Sequence, residues 1–178
     1  MGKSCLNKLS GNITVGCTVP QVGVKNLYLM HTEGVSLKAT STGPAVLTGA
    51  SFASGAAAIL VEGYKQNIQI TSAIRTTDAS AKLDFSVVFK ITGRNYDAAS
   101  RVQSLLTGKF YVLAEYRDGT YSFIGYTSPL ECSGMDWDSN ANAGITTVTL
   151  TAPEGSAGNY LMTADTTAVS QIKAKVGG

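Results

Sequence analysis

Between Lys82 and Thr92 the chain alternates almost without a break, with Leu83, Phe85, Val87, Phe89 and Ile91 on one side and Lys82, Asp84, Ser86 and Lys90 on the other. Wound as a helix, these apolar residues would scatter around the axis. Extended, they line one face, so the segment demands a sheet with a core beneath it. The preceding Ile59–Ser72 is also β-rich, and Ala73–Ala81 between the two runs is rich in Thr, Ser and Asp. Together they predict a long hairpin projecting beyond the core, with Thr76, Thr77 and Asp78 at its tip.

Downstream the signals change period and change back. Asn95 offers an N-cap oxygen and Asp97 a first-turn anion, while Tyr96, Ala99, Val102 and Leu106 recur at helical spacing. Gly108 fits a left-handed C-terminal residue. This predicts one short helix over about 95–107. Phe110–Tyr116 is then an apolar strand, Asp118-Gly119 a hairpin turn and Tyr121–Tyr126 the returning strand. A last strand, Thr146–Thr151, alternates Thr146, Val148 and Leu150 against Thr147, Thr149 and Thr151. Residues from Pro153 onward read as a polar tail with some apolar residues.

The first third is less regular. Gly16, Pro20, Gly23 and Gly34 interrupt short apolar stretches, of which Val24–Met30 is the best strand candidate. Ser41–Gly55, with its Gly43-Pro44 turn, has too little apolar bulk for a core of its own and reads as a small-residue loop, either mobile or used as a contact. No internal repeat or linker-like shift divides the 178 residues. A single domain is expected: an irregular N-terminal part over 1–55, a β core with its helix over 56–152, and a tail over 153–178. The fold class is mainly β with one short helix, in a sandwich-like or barrel-like arrangement.

Composition narrows the function. Only 15% of residues are charged, so much of the surface is small and weakly hydrated, which suits permanent contacts. A net charge of +2 spread along the chain gives no concentrated field to hold a phosphate backbone. Cys5, Cys17 and Cys132 are odd in number and widely spaced, and read as reduced thiols. The opening Met-Gly-Lys-Ser-Cys-Leu has no apolar secretion core, Leu6 breaks a myristoylation pattern, and the longest apolar run, Ala56–Val61, is too short to span a bilayer. Synthesis and folding in the cytoplasm are the expectation.

Reactive constellations are weak. His31 is the only histidine, and no nucleophile elbow, P-loop or dinucleotide fingerprint occurs. Asp136-Trp137-Asp138-Ser139-Asn140-Ala141-Asn142 spaces oxygens like the opening of a calcium loop. However, Ala141 replaces the turn glycine and Thr147 the bidentate glutamate, so a polar turn with Trp137 packed beneath it is the plainer reading. Glu131 with Asp136 or Asp138 has the residue types of a glycosidase pair but no aromatic groove. Tyr116, Tyr121, Phe123 and Tyr126 fit cross-strand pairs better than a stacking platform. No catalytic residue, metal site or cofactor is expected.

The order of elements carries a resemblance: long hairpin, helix, the Lys109–Tyr126 hairpin with its Asp118-Gly119 turn and Ile124-Gly125 return, the Asp138–Gly144 loop before Ile145, and a Thr-rich strand. Over roughly Ile59–Ala152 it resembles the tail-tube-like structural proteins of tailed bacteriophages, especially phages of Bacteroides-type gut bacteria. The resemblance implies a β-sandwich or barrel-like domain flanked by a helix, whose copies form rings, often hexameric, that stack into a tube for DNA. It implies a virion location after synthesis in the bacterial cytoplasm, with the protein itself and other virion proteins as partners and DNA passing non-specifically through the lumen. A head-tail connector, tail terminator or capsid decoration protein is the alternative within this class, and a carbohydrate-binding β-sandwich or a hydrolase using Glu131, Asp136 or Asp138 the alternative outside it. Subunit pairing would turn exposed sheet edges into continuous ladders. The residues expected near such contacts are Tyr64, Ile68, Ile70, Ile74, Leu83 and Phe85 along the hairpin, with Thr76, Thr77 and Asp78 at its tip. Ile70, Leu83 and Phe85 serve equally well as core.

Overall fold

The computed structural model describes residues 23–40, 45–63, 67–77, 80–91, 96–137, 145–160 and 162–177. In chain order the elements are β1 (Val24–His31), β2 (Val35–Ala39), β3 (Val46–Phe52), β4 (Ala58–Glu62), β5 (Ile68–Thr77), β6 (Ser80–Ile91), α1 (Tyr96–Thr107), β7 (Lys109–Tyr116), β8 (Tyr121–Ile124), β9 (Leu130–Trp137), β10 (Thr146–Thr151), β11 (Met162–Ala164) and α2 (Thr166–Lys173). The architecture is mainly β, as the alternating runs require.

All eleven strands belong to one sheet, ordered β2-β3-β11-β8-β7-β9-β10-β6-β5, with β1 paired to β7 and β4 to β1. The sheet branches at β7. One edge of β7 pairs with β1 along its length, while the other pairs with β8 through Val112–Glu115 and with β9 at Lys109 and Phe110. Gly125 makes that split possible. It joins β8 to β9 at φ +97°, and a Cβ there would stand 3.1 Å from the Phe110 carbonyl oxygen. Past this kink, β9, β10, β6 and β5 roll over one face of β1 and β7.

Two cores result, and the central strands serve both. Leu27, Leu29, Val112, Ala114 and Ile124 face a core completed by Ile68, Phe85, Val87, Phe89, Leu130, Val148 and Leu150. The intervening Tyr28, Met30, Leu113 and Phe123 face a second, completed by Leu47, Met162, Ala168, Val169 and Ile172. Helix α1 contributes Leu105 to the first core, and α2 covers the second.

The second core corrects the expected tail. Residues 162–176 supply a strand between β3 and β8 and a buried helix, because Asp165 caps α2 by accepting from the Ala168 N–H at 2.8 Å, and Ala168, Val169 and Ile172 then fall on one face. The Ser41–Gly55 loop likewise contains β3, whose small residues make room for α2: Gln171 Oε1 accepts from the Ala50 N–H at 2.8 Å and lies 3.5 Å from where a Cβ on Gly49 would be.

Helix α1 spans the expected residues, with Leu105 in place of Leu106 turned inward in its last turn. Leu105 is buried and Leu106 is 54% exposed. The proposed cap at Asn95 lies outside the described residues. Gly108 is not left-handed: it is needed because the Phe110 ring packs over it, and a Cβ would come within 2.3 Å of Phe110 Cζ.

If the C-terminal segment is part of the fold, Ile172→Ala will lower the unfolding free energy by about 2–5 kcal/mol, the usual range for emptying a buried isoleucine site. Leu106→Ala, on the solvent side of α1, will change it by less than about 1 kcal/mol. Chemical denaturation of both variants measures this, and the reverse ranking would contradict the packing described.

Candidate assembly surface

The β5–β6 hairpin is longer than the sequence suggests. The Thr- and Ser-rich stretch expected to cap it is strand on both sides, and pairing runs from Ile68↔Phe89 to Thr77↔Ser80. Strand β10 ends at Thr151, opposite Ser86. From Ser72 and Phe85 outward, no third strand among the described residues joins β5 and β6, and the Asn159 N–H reaches the Leu83 carbonyl at 2.9 Å. Six residue pairs at about 3.4 Å per residue make a ribbon of roughly 20 Å.

Along the inward face of this ribbon burial falls off with distance. Ile68 is buried, Ile70 half-buried and Ile74 71% exposed. On the opposite strand Phe85 is buried and Leu83 partly so. Ile68 and Phe85 thus belong to the protein's own core, which removes them from the expected contact set. Ile70 and Leu83 sit at its margin, and Ile74 is offered to solvent. Thr76 and Thr77 pair with Ala81 and Ser80 at the far end, where the tip was expected. Tyr64 and Asp78 lie outside the described residues.

The outer edge of β5 pairs with no strand among the described residues. From Ile68 to Ile74 it carries no charge, no proline and no register shift, the devices that ordinarily keep an edge from recruiting another chain. Strand β2, at the other end of the sheet path, is guarded by Lys38 and by a register shift between Lys38 and Ala39. Where β10 stops and the ribbon leaves the sheet, an open groove of about 220 Å³ is lined by Thr71, Ala73, Asp84, Phe85, Ser86, Thr151 and Ala152.

Opposite this surface lies a polar cluster that local sequence patterns did not reveal. Glu115, in the apolar run of β7, is buried and accepts from Tyr28 Oη at 2.7 Å and Asn26 Nδ2 at 3.2 Å. It pairs with Lys25 Nζ at 3.2 Å and Lys173 Nζ at 3.1 Å. Lys173 also donates to Tyr121 Oη at 2.9 Å and stands 4.9 Å from the centroid of that ring and 5.5 Å from that of Tyr28. Burial pushes the Glu115 carboxyl up, but these donors outweigh it and hold the pKa lowered to about 2. Burial likewise lowers Lys173, and Tyr121 and Glu115 raise it above the ordinary lysine range. Burial, then the bond to Glu115, raises the Tyr28 phenol. The carboxylate is saturated with donors and ties α2 to β1 and β7, so its evident work is structural.

The remaining candidate groups are dispersed. Glu131 and Asp136 lie opposite Thr151 and Thr147, four residues apart on β10 and hence about 14 Å apart along the strand, beyond the span of a glycosidase pair. Glu131 instead pairs with Lys109 at 2.9 Å. His31 stacks edge-on against Phe110 and accepts from the Glu33 N–H at 3.2 Å. Trp137 is 57% exposed at the end of β9 rather than packed beneath a turn, since its position lies past the last core residues of β10. Asp138 and the loop after it are outside the described residues. Tyr116 bonds Ser122 at 2.8 Å and Tyr121 bonds Lys173, which ties both hydroxyls inward. Among the described residues no three His, Cys, Asp or Glu side chains converge as metal ligands, and no helix is long and apolar enough to cross a membrane.

Comparison with protein families, curated proteins and solved structures gave no match. The surface must be read from its own physics. Within that reading the sheet margin at β5 lacks a strand partner among the described residues, whereas the Glu115 cluster is internally complete.

The cluster sets a pH response. Folding lowers the Glu115 pKa from 4.5 to about 2, so its stabilisation is fully present above pH 4.5 and is lost as pH falls from 4.5 toward 2. Glu115→Gln will cost on the order of 3 kcal/mol at pH 7, because it leaves buried donors mispaired, and will flatten the acid limb. Urea unfolding of both proteins between pH 2 and 7 checks this, and parallel curves would rule it out.

Proposed function

We propose that this is a virion structural protein whose copies assemble into stacked rings, forming a phage tail tube through which DNA passes. The observation that carries the reading is the β5–β6 ribbon, which runs about 20 Å past the end of β10 and leaves Ile74, on its core-facing side, in water beside a strand edge that is uncharged from Ile68 to Ile74. A chain that works alone would be expected to charge, cap or shorten such an edge. A chain that works in copies uses it. The sparse surface charge agrees with this, since small neutral residues cost little to desolvate across a permanent interface. On this reading the molecule catalyses nothing, its partners are itself and other virion proteins, and DNA meets the lumen without sequence readout. Connector, terminator and decoration roles use the same self-association but stop at one ring or one layer.

A second reading rests on Trp137, whose exposed ring could hold a sugar face in a carbohydrate-binding module. Glycan-array binding abolished by Trp137→Ala would select it over assembly.

Raising the concentration of purified protein should produce rings or tubes by negative-stain microscopy, with matching fast species in sedimentation. Ile74→Lys, which places a charge on a side chain already in water and so spares the fold, should raise the concentration needed by about tenfold or more. A wild-type protein that stays monomeric at every concentration would overturn the proposal.

A further inference from the structure

One margin of the sheet is β5, and a second runs along β4. Strand β4 pairs with β1 in the register Ile59↔Leu29 and Val61↔Leu27. Leu29 and Leu27 line the first core, so Ile59 and Val61 share the face that looks into it. Val61 packs there, while Ile59 at the margin is 46% exposed. On its other side β4 is tied to the C-terminal segment at Ala58 alone, through the bridge to Val176 and the bond from the Ala58 N–H to the Lys175 carbonyl at 2.9 Å. From Ile59 to Glu62 that edge has no strand partner among the described residues. Like β5 over Ile68–Ile74, it contains neither lysine nor proline and no register shift.

The first core is therefore enclosed by a roll of strands, β4-β1-β7-β9-β10-β6-β5, whose two end strands among the described residues, its lips, are β4 and β5. Each lip ends its core-facing stripe with one exposed isoleucine, Ile59 on β4 and Ile74 on β5. Strand β2, at the other end of the sheet path, is excluded by Lys38 and its register shift, and its apolar residues face the second core.

We infer that the seam between copies is formed by β5 of one molecule adding to β4 of the next, which extends the roll from copy to copy and covers Ile74 with Ile59. The inference rests on the assembly reading above for the identity of the partner as a second copy of this chain. It goes further in naming the two strands and the residue pair that join. The chain carries both halves of the match for a second copy: two edges facing the same core, uncharged over Ile59–Val61 and Ile68–Ile74, each with one isoleucine that its own fold leaves exposed. Pairing them satisfies backbone donors and acceptors on both lips and removes both side chains from water, which one lip meeting a charged partner could not do.

The seam can be tested by cross-linking in full-length protein with Cys5, Cys17 and Cys132 replaced by serine. Ile59→Cys and Ile74→Cys are made as two separate proteins, each checked by circular dichroism and melting temperature, then assembled singly and mixed under mild oxidation. Facing positions on adjacent strands bring Cβ atoms to about 4.5–5.5 Å, close enough for a disulfide after small adjustment. The seam predicts a cross-linked pair in the mixture and little or none in either protein alone. Ile74→Cys cross-linking to itself would overturn the seam in favour of β5 pairing with β5. Rings that form without any cross-link would overturn the seam and leave the tube reading standing. A mixed cross-link in a closed dimer that never forms rings would uphold the seam and sink the tube reading. In a Cys-free background, Ile59→Lys should weaken assembly as much as Ile74→Lys does, and an unaffected assembly would count against the seam independently of oxidation.

Discussion

Burial of β1 and β7 on both faces is the constraint from which the rest of the structure follows. An ordinary two-sided sheet would let one face see water, and its strands would alternate apolar with polar. Here Leu27, Leu29, Val112 and Ala114 serve one core while Tyr28, Met30 and Leu113 serve the other, so the two strands read as continuous apolar runs. Two separate covers are then required. The roll of β9, β10, β6 and β5 supplies the first, and β2, β3, β11 and α2 supply the second. The second is locked by a buried carboxylate, through Glu115 and Lys173. The first ends at the lips β5 and β4, whose outer edges lack a strand partner among the described residues.

Much of that arrangement was legible where residues face one way. The alternation of Lys82–Thr92 placed β6, the Thr-rich pattern placed β10, and the Asp118-Gly119 dipeptide placed the β7–β8 turn, where Asp118 Oδ1 accepts from the Thr120 N–H at 2.9 Å. These signals are local, so a one-dimensional reading captures them. The far end of the hairpin was half legible. Its Thr and Ser residues looked like a cap because they lack apolar partners, yet strand pairing with β6 holds them extended.

What escaped the sequence depends on distant partners. Ala168, Val169 and Ile172 make only a narrow stripe, too short to stand out until a sheet face is there to receive it, and Asp165 was its one clear local signal. Gly49 and Ala50 looked like loop residues because nothing nearby shows that Gln171 needs the space. Leu105 and Leu106 are chemically identical, so spacing alone named the exposed one of the two. Glu115 was hidden in an apolar run, since its partners at positions 25, 26, 28 and 173 lie 58 to 90 residues away. The candidate contact set was affected in the same way. Ile68 and Phe85 carry the right chemistry for an interface, but the first core reached them first.

Amide hydrogen exchange followed by mass spectrometry, with the protein held below and above its assembly concentration, tests the central claim most directly, because it reads the strand edges themselves. The account predicts that amides of Ile68–Thr77 and Ile59–Glu62 gain protection as copies associate while those of Val35–Ala39 do not change. Exchange along β5 and β4 that stays the same in monomer and assembly would contradict it.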